Sequence, residues 1–102
     1  MTASRSRLSD EEVTTQLADL PGWSVEDGKL TRHYRFQDFI AAVGFMTQVA
    51  IEAEQLDHHP NWSNVYNRVD VTLWTHDAGG LTALDVKLAR AMERRAGAAV
   101  TD

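Results

Sequence analysis

Cysteine is absent from this chain of 102 residues. A disulfide framework is therefore excluded, and so are the zinc motifs that are built from paired thiolates. Basic residues are also few, because 10 Lys and Arg stand against 15 Asp and Glu, for a formal net charge of -5. Since phosphate backbones and anionic membrane surfaces repel such a chain, we expect no direct binding of nucleic acid.

Long apolar runs are lacking as well. No window approaches the roughly 20 apolar residues that a membrane span needs, and the segment 1–7 lacks the apolar core of a signal peptide. We therefore expect a cytoplasmic protein that does not contact membranes. The length and the hydrophobic fraction of 43% predict a single domain over residues 1–102, with 1–7 and 97–102 as frayed tails.

Three segments have helical patterns. A capping box at residues 9–12 predicts a helix from about Asp10 to Asp19. The segment from Gln37 to about Gln55 has no proline and repeats apolar residues every three or four positions, which predicts the longest helix. A second capping box, Thr82 with Asp85, predicts a third helix that ends near residue 95.

Four short segments have strand patterns. Residues 23–26 and 30–35 flank Asp27 and Gly28, a favoured hairpin turn, and residues 62–66 and 69–75 flank a predicted turn at Asn67 and Arg68. The order helix, strand, strand, helix, strand, strand, helix predicts an α+β fold. In it, three helices pack on one face of a four-stranded antiparallel sheet.

The predicted long helix has more apolar surface than one contact needs. Its apolar residues are Phe39, Val43, Met46, Ala50 and Ala53 on one face, with Ile40, Phe45, Val49 and Leu56 extending that face. We expect contacts on two sides of the helix, one with the sheet and one with another helix or a second subunit. A homodimer or homotetramer is the predicted assembly, formed through this helix or through a sheet edge.

Three of the four histidines, His58, His59 and His76, lie in a short part of the chain. Histidine exchanges protons near neutral pH because its unperturbed pKa is about 6.5, so this cluster predicts proton-transfer chemistry. Neighbouring side chains in an extended segment point in opposite directions, which predicts different roles for His58 and His59. If the strand before His76 lies beside the strand after Pro60, the three imidazoles meet at one end of the sheet.

The spacing around these histidines resembles that of the pterin-4a-carbinolamine dehydratase family. The matching residues are Glu54, His58, His59, Pro60, Tyr66, His76 and Asp85, and further similarity extends from Arg7 to Gly80. The resemblance implies dehydration of 4a-hydroxytetrahydropterin, the product of aromatic amino-acid hydroxylases, to quinonoid dihydropterin. It implies this step of tetrahydrobiopterin recycling without a metal and without an organic cofactor.

The resemblance also implies roles for individual residues. His58 is the expected main proton-transfer group, His76 its partner across the pterin, and His59 a group that positions the substrate and assists. Glu54 is expected to orient an imidazole. The expected substrate-binding residues are these three histidines with Asp57, Trp74, Thr75, Asp77 and Trp23, the last as an aromatic wall for the flat ring.

Simpler roles compete with these. Three histidines could hold zinc, but adjacent His58 and His59 suit one tetrahedral ion poorly, and we expect no metal. Asp85 is expected first as a capping residue, and His33 as a surface or hydrogen-bonded residue. Trp62 and Tyr66 are expected in the core.

The resemblance leaves other functions open. Animal members of this family also act as dimerisation cofactors for a homeodomain transcription factor, so a protein-interaction module with a protein partner is the main alternative. A different heterocyclic carbinolamine as substrate is a weaker one. The rim of the expected site also differs, because Trp74 stands where animal members have a small residue.

Overall fold

In a computed structural model, which describes residues 5–97 and 100, the chain forms three α-helices and a four-stranded antiparallel sheet. In chain order the elements are α1 (Asp10–Leu17), β1 (Ser24–Glu26), β2 (Lys29–Arg35), α2 (Phe39–Leu56), β3 (Asn61–Val65), β4 (Arg68–Leu73) and α3 (Ala83–Ala96). A short 3₁₀ turn, His76–Ala78, connects β4 to α3. The strand order across the sheet is β1-β2-β4-β3. The predicted α+β fold and element order are confirmed.

Capping residues start α1 and α3 where the sequence predicts, whereas α2 begins at Phe39, after its N-cap Asp38, and not at the predicted Gln37. The Ser9 hydroxyl accepts the Glu12 N–H, and the Glu12 carboxylate accepts the Ser9 N–H. The hydrogen bond from the Ser9 backbone N–H, together with a smaller side-chain contribution from Ser9, stabilises the charged carboxylate, so the pKa of the exposed Glu12 carboxyl lies below its usual value. Helix α1 ends at Leu17 rather than Asp19, because the following N–H groups bond to carbonyls three residues back and tighten the last turn.

The strand register places one row of apolar side chains under the helices. Leu30 of β2 lies opposite Leu73 of β4, and Tyr34 lies opposite Val69. These four side chains and Val71 are buried on the same face of the sheet. The alternation predicted for β4 is confirmed, and this face forms the floor of the hydrophobic core.

The turn between β3 and β4 lies one residue earlier than predicted. It consists of Tyr66 and Asn67, and Arg68 already belongs to β4. Tyr66 adopts a φ of 54° and the residue is 62% exposed, so the expectation of a core tyrosine is wrong. The Asn64 side chain donates to the backbone carbonyls of Tyr66 and Arg68, which satisfies the turn at this register. Trp62, by contrast, is half-buried and packs against the core.

Helix α2 buries one face and exposes another. The buried face consists of Ala42, Phe45, Val49 and Ala53, whereas the exposed apolar residues are Phe39, Ile40, Val43 and Ile51. Ile40 is 80% exposed. The predicted row from Phe39 to Ala53 therefore mixes both faces, since a run that is apolar all round does not reveal which side meets the sheet.

An aromatic cluster in the core carries a buried polar group. The Tyr34 ring packs against Phe36 and Phe45, and its hydroxyl donates to the Glu93 carboxylate of α3. The Trp23 indole N–H donates to the same carboxylate oxygen at 3.1 Å. Burial raises the pKa of the Tyr34 phenol well above its usual value, and the hydrogen bond to Glu93 adds to the shift. This network ties α3 to the sheet.

The predicted tails, residues 1–7 and 97–102, lie partly outside the described residues. Within the described part, Arg5 contacts Asp57, and Val100 forms an isolated antiparallel bridge with Phe36. No helix among the described residues is long and apolar enough to cross a membrane.

Candidate active site

The three clustered histidines meet at one end of the sheet. Strands β3 and β4 pair antiparallel with Asn61 opposite Thr72, so the segment before β3 and the segment after β4 lie at the same end. His58 and His59 precede β3, and His76 follows β4. All three line one cavity of about 270 Å³. The strand pairing on which this convergence depends is thus confirmed.

The C-terminus of α2 positions His58. Asp57 ends the helix in the left-handed conformation, with a φ of 51°. The next N–H, that of His58, donates back to the Ala53 carbonyl at 3.0 Å and closes the last turn. This geometry directs the His58 side chain inward, where only 8% of the residue remains exposed.

Asp85 holds the buried imidazole from the other side. One carboxylate oxygen lies 2.5 Å from His58 Nε2, and Asp85 is 0% exposed. The other oxygen accepts the Thr75 hydroxyl and the Thr82 N–H, both at 2.9 Å. A buried carboxylate needs such partners, because an unpaired charge there would be costly. The predicted capping box of α3 is confirmed, and the same carboxylate also orients His58.

His59 points out of the protein and has a different partner. Its Nε2 lies 2.8 Å from the carboxylate of Glu54, a residue in the last turn of α2. Both side chains are exposed. Glu54 therefore contacts an imidazole as expected, but this contact lies on the solvent-exposed surface and not in the protein interior. The two adjacent histidines therefore differ in environment, because His58 is buried and His59 is exposed to solvent.

His76 lines the cavity from the 3₁₀ turn that follows β4. Thr75 N–H donates to the Gly80 carbonyl at 2.9 Å, which closes this loop at its base. Gly79 ends the turn with a φ of 68°, a conformation that favours glycine. His76 is exposed at the rim. The cavity is therefore lined by two separate segments of the chain, one that carries His58 and His59 and one that carries His76.

The remaining predicted residues divide between the cavity and the core. Asp57, Trp74, Thr75 and Asp77 line the cavity. Trp23 does not, because its indole is buried in the core against Tyr34 and bonded to Glu93. The expected aromatic wall at Trp23 is therefore corrected, and Trp74 is the aromatic residue at the cavity.

Two lining residues were missed from the sequence. Asn61 begins β3 directly after the histidine loop, and its position next to Pro60 could have revealed it. Arg5 reaches the cavity from a distant part of the chain and donates to the Asp57 carbonyl at 3.2 Å. No local pattern marks Arg5, since 52 residues separate it from Asp57.

A metal site needs several His, Cys, Asp or Glu side chains grouped around one point. Within residues 5–97 and 100, no group of three or more His, Cys, Asp or Glu side chains is arranged to hold a metal ion. His58 is engaged by Asp85 and His59 by Glu54, which gives each imidazole a carboxylate partner instead. The arrangement offers several proton donors and acceptors that line one cavity.

Known proteins resemble this chain over most of its length. The sequence model of the family Pterin 4 alpha carbinolamine dehydratase matches residues 6–95. A Rhizobium etli protein, provisionally named a pterin-4-alpha-carbinolamine dehydratase, is 58% identical over 92 residues, which cover 88% of this chain and 91% of that protein. A Rhodospirillum rubrum protein with the same provisional name is 54% identical over 93 residues, covering 89% and 97%. The crystal structure of a transcriptional coactivator/pterin dehydratase from Brucella melitensis superposes with a TM-score of 0.88 at 51% identity, covering 90% of this chain and 100% of that chain.

Proposed function

The chain belongs to the pterin-4a-carbinolamine dehydratase family, and on that premise we propose that it converts a 4a-hydroxytetrahydropterin to a quinonoid dihydropterin and water, in tetrahydrobiopterin recycling. The observation that carries the proposal is the buried His58–Asp85 pair in a cavity that His59 and His76 also line. The pair prepares one imidazole for proton transfer, and two further imidazoles stand nearby.

The reaction needs two proton transfers and no change of oxidation state. The bond from carbon 4a to its hydroxyl oxygen breaks, and the oxygen leaves as water once an acid has protonated it. A base takes the proton from the neighbouring ring nitrogen, and a carbon–nitrogen double bond forms. Each of these general catalysts is worth about 10²–10⁴-fold in rate. The proposed reaction uses neither a metal nor an organic cofactor.

His58 is the proposed base. With its Nε2–H donated to Asp85, the neutral ring carries its lone pair on Nδ1, which can accept a proton. The positive charge that then forms on the ring is stabilised by the Asp85 carboxylate 2.5 Å away. Because Asp85 is fully buried and held by Thr75 and Thr82, it does not need to reorganise during the reaction.

His76 and His59 complete the proposed mechanism. His76 lines the same cavity as His58 and protonates the leaving hydroxyl. His59, held by Glu54, positions the ring and assists this transfer. The exposed position of His76 lets it regain its proton from solvent after each turnover. Asp57, Thr75 and Asp77 supply polar contacts for the pterin, and Trp74 supplies an aromatic one.

Alanine variants of the four histidines test this division of roles. We expect His58→Ala and His76→Ala each to lower kcat by about 10²–10⁴-fold, and His59→Ala to raise KM with a smaller loss of kcat. His33→Ala is the matched control, because His33 lies on β2 and bonds to Asp70 away from the cavity. Full dehydratase activity in a folded His58→Ala variant would contradict the mechanism.

A second candidate function is protein interaction, either as a homodimer or homotetramer or with a different protein. The supporting observations are the exposed apolar residues Phe39, Ile40, Val43 and Ile51 of α2, and the description of the Brucella melitensis relative as a transcriptional coactivator. Ile40→Lys should weaken assembly in sedimentation experiments while His58→Ala leaves it intact. An unchanged assembly in Ile40→Lys would remove α2 from the proposal.

A further inference from the structure

A second, larger cavity adjoins the histidine cavity, and Trp74 lines both. Its volume is about 430 Å³. Leu30 of β2 lies opposite Leu73 of β4, so the next pair toward the sheet end brings Lys29 beside Trp74. On the other side of Trp74 lies the loop that carries His58 and His59. At this end of the sheet, Trp74 therefore stands between the histidine loop and Lys29.

The second cavity combines an apolar wall with a cation at its boundary. The apolar side chains are Leu8, Val13, Leu17, Val25 and Leu81. The Lys29 ammonium lies 4.2 Å from the centre of the Trp74 ring, a cation–π contact that holds the charge at the boundary between the two cavities.

Other charges in the second cavity are distributed around its rim. Arg7 lies against Gly80, while Asp10 and Asp27 bring two carboxylates. In the part of the chain that the structure describes, neither Lys29 nor Arg7 forms an ion pair with these acids or any other. The ammonium beside Trp74 is thus available to a negatively charged group of a ligand.

Volume and polarity favour a ligand that occupies both cavities. The histidine cavity, at about 270 Å³, lies below the roughly 300–1,000 Å³ usual for small-molecule sites, whereas the second cavity lies within that range. The polar histidine cavity suits a flat heterocycle with many hydrogen-bonding groups. The apolar cavity suits a longer attached group, and the indole of Trp74 offers a flat surface where the two meet.

We propose that the second cavity receives the substituent on carbon 6 of the pterin, and that Lys29, held over Trp74, binds a carboxylate on that substituent. The preferred substrates are then pterins with a long, partly apolar substituent that ends in a carboxylate. This inference rests on the proposed function, because it assumes that the pterin ring occupies the histidine cavity. Trp74 and Lys29 become specificity-determining residues.

Calorimetric binding of two stable ligands tests the inference. One is 7,8-dihydrofolate, whose substituent carries a benzoyl ring and carboxylates, and the other is 6-methyl-7,8-dihydropterin, which has no extension. We expect dihydrofolate to bind at least about fivefold more tightly, since a partly exposed ion pair contributes up to about that factor and burial of the benzoyl ring adds to it. Added salt should reduce this preference.

Single substitutions separate the contributions of Lys29 and Trp74 to the preference for dihydrofolate. Lys29→Met and Trp74→Ala should each reduce the preference for dihydrofolate by about fivefold. Lys87→Met is the matched control, because Lys87 is an exposed lysine of α3 that lines neither cavity, and it should retain the full preference. Thermal unfolding of each variant shows whether it is folded.

The outcomes are distinguishable from failure of the proposed function. Equal affinity for both ligands, or a preference that survives in both Lys29→Met and Trp74→Ala, overturns the inference and leaves the dehydratase proposal standing. If neither ligand binds the wild-type protein, the histidine cavity is not a pterin site, and both proposals are overturned.

Discussion

Asp85→Asn is the substitution that probes the candidate site most sharply. It changes one oxygen of a fully buried carboxylate to an NH₂ group of nearly equal size, so packing is preserved. In the wild type the Thr82 N–H donates to one carboxylate oxygen at 2.9 Å, so the amide group that replaces this oxygen must also accept a hydrogen bond. The amide oxygen therefore takes that position, because an NH₂ group there would place a donor against a donor. The NH₂ group then faces His58.

The consequence for His58 is a change of tautomer. Since the NH₂ group donates, Nε2 must become the acceptor, and the ring proton moves to Nδ1, which can no longer take a proton from a substrate. We expect kcat to fall by about 10²–10⁴-fold. Loss of the charge-assisted hydrogen bond should lower the free energy of unfolding by about 1–3 kcal/mol. The protein should therefore remain folded but almost inactive.

The assay is dehydration of a 4a-hydroxytetrahydropterin followed by ultraviolet absorbance, together with urea unfolding of the same samples. Glu54→Gln is the matched control, because it makes the same chemical change to the exposed carboxylate that contacts His59. Water can replace a partner at that exposed position, so kcat should fall by less than about tenfold. Activity within about threefold of wild type in folded Asp85→Asn would refute the reasoning, as would equal losses in the two variants.

Two further predictions concern stability. The pKa of Tyr34 is raised in the folded state, so above about pH 10 the phenol ionises in the unfolded chain but not in the folded one. The contribution of Tyr34 to the free energy of unfolding is therefore constant below about pH 10 and falls at higher pH by about 1.4 kcal/mol per pH unit. Urea unfolding between pH 9 and pH 11 should show this slope in wild type and in Tyr66→Phe but not in Tyr34→Phe, and an equal slope in all three proteins would contradict the assignment. Phe45→Ala should lower the free energy of unfolding of the dilute protein by about 3–5 kcal/mol, since Phe45 is buried. Phe39→Ala, at a residue that is 51% exposed, should lower it by less than about 1 kcal/mol in the same measurement. Similar losses in both variants would show that the faces of α2 are assigned wrongly.

Local chemistry made much of the fold predictable. Ser9 and Thr82 begin helices because their hydroxyls satisfy backbone donors within the next turn, and such bonds depend on three or four neighbouring residues. The Asp27–Gly28 turn follows the same logic, since both residues adopt positive φ. Where one residue and its neighbours determine the conformation, the sequence alone was sufficient.

Features that depend on distant contacts were predicted less well. Tyr66 was expected in the core, but the register of β3 and β4 and the bonds from Asn64 place it in the turn. The core-facing side of α2 could not be assigned, because its apolar residues surround the helix. Trp23 was expected at the site, yet its indole N–H pairs with Glu93, a partner 70 residues away.

In the candidate site, too, some features follow from neighbouring elements of the chain and others depend on distant contacts. Its histidines were predicted to converge, because their convergence follows from pairing two neighbouring strands. The contact from Asp85 to His58 was not, since 27 residues separate them and the capping role already accounted for Asp85. One carboxylate has two oxygens, and only the structure showed that the cap and the imidazole use different ones.

The rate of 4a-hydroxytetrahydropterin dehydration by purified, metal-stripped protein, measured beside folded His58→Ala and beside the spontaneous reaction, tests the central claim most directly. The account predicts clear acceleration by the wild type that survives metal removal and is almost entirely lost in His58→Ala. A well-folded wild-type protein that gives only the spontaneous rate would contradict the claim that this cavity is a dehydratase active site.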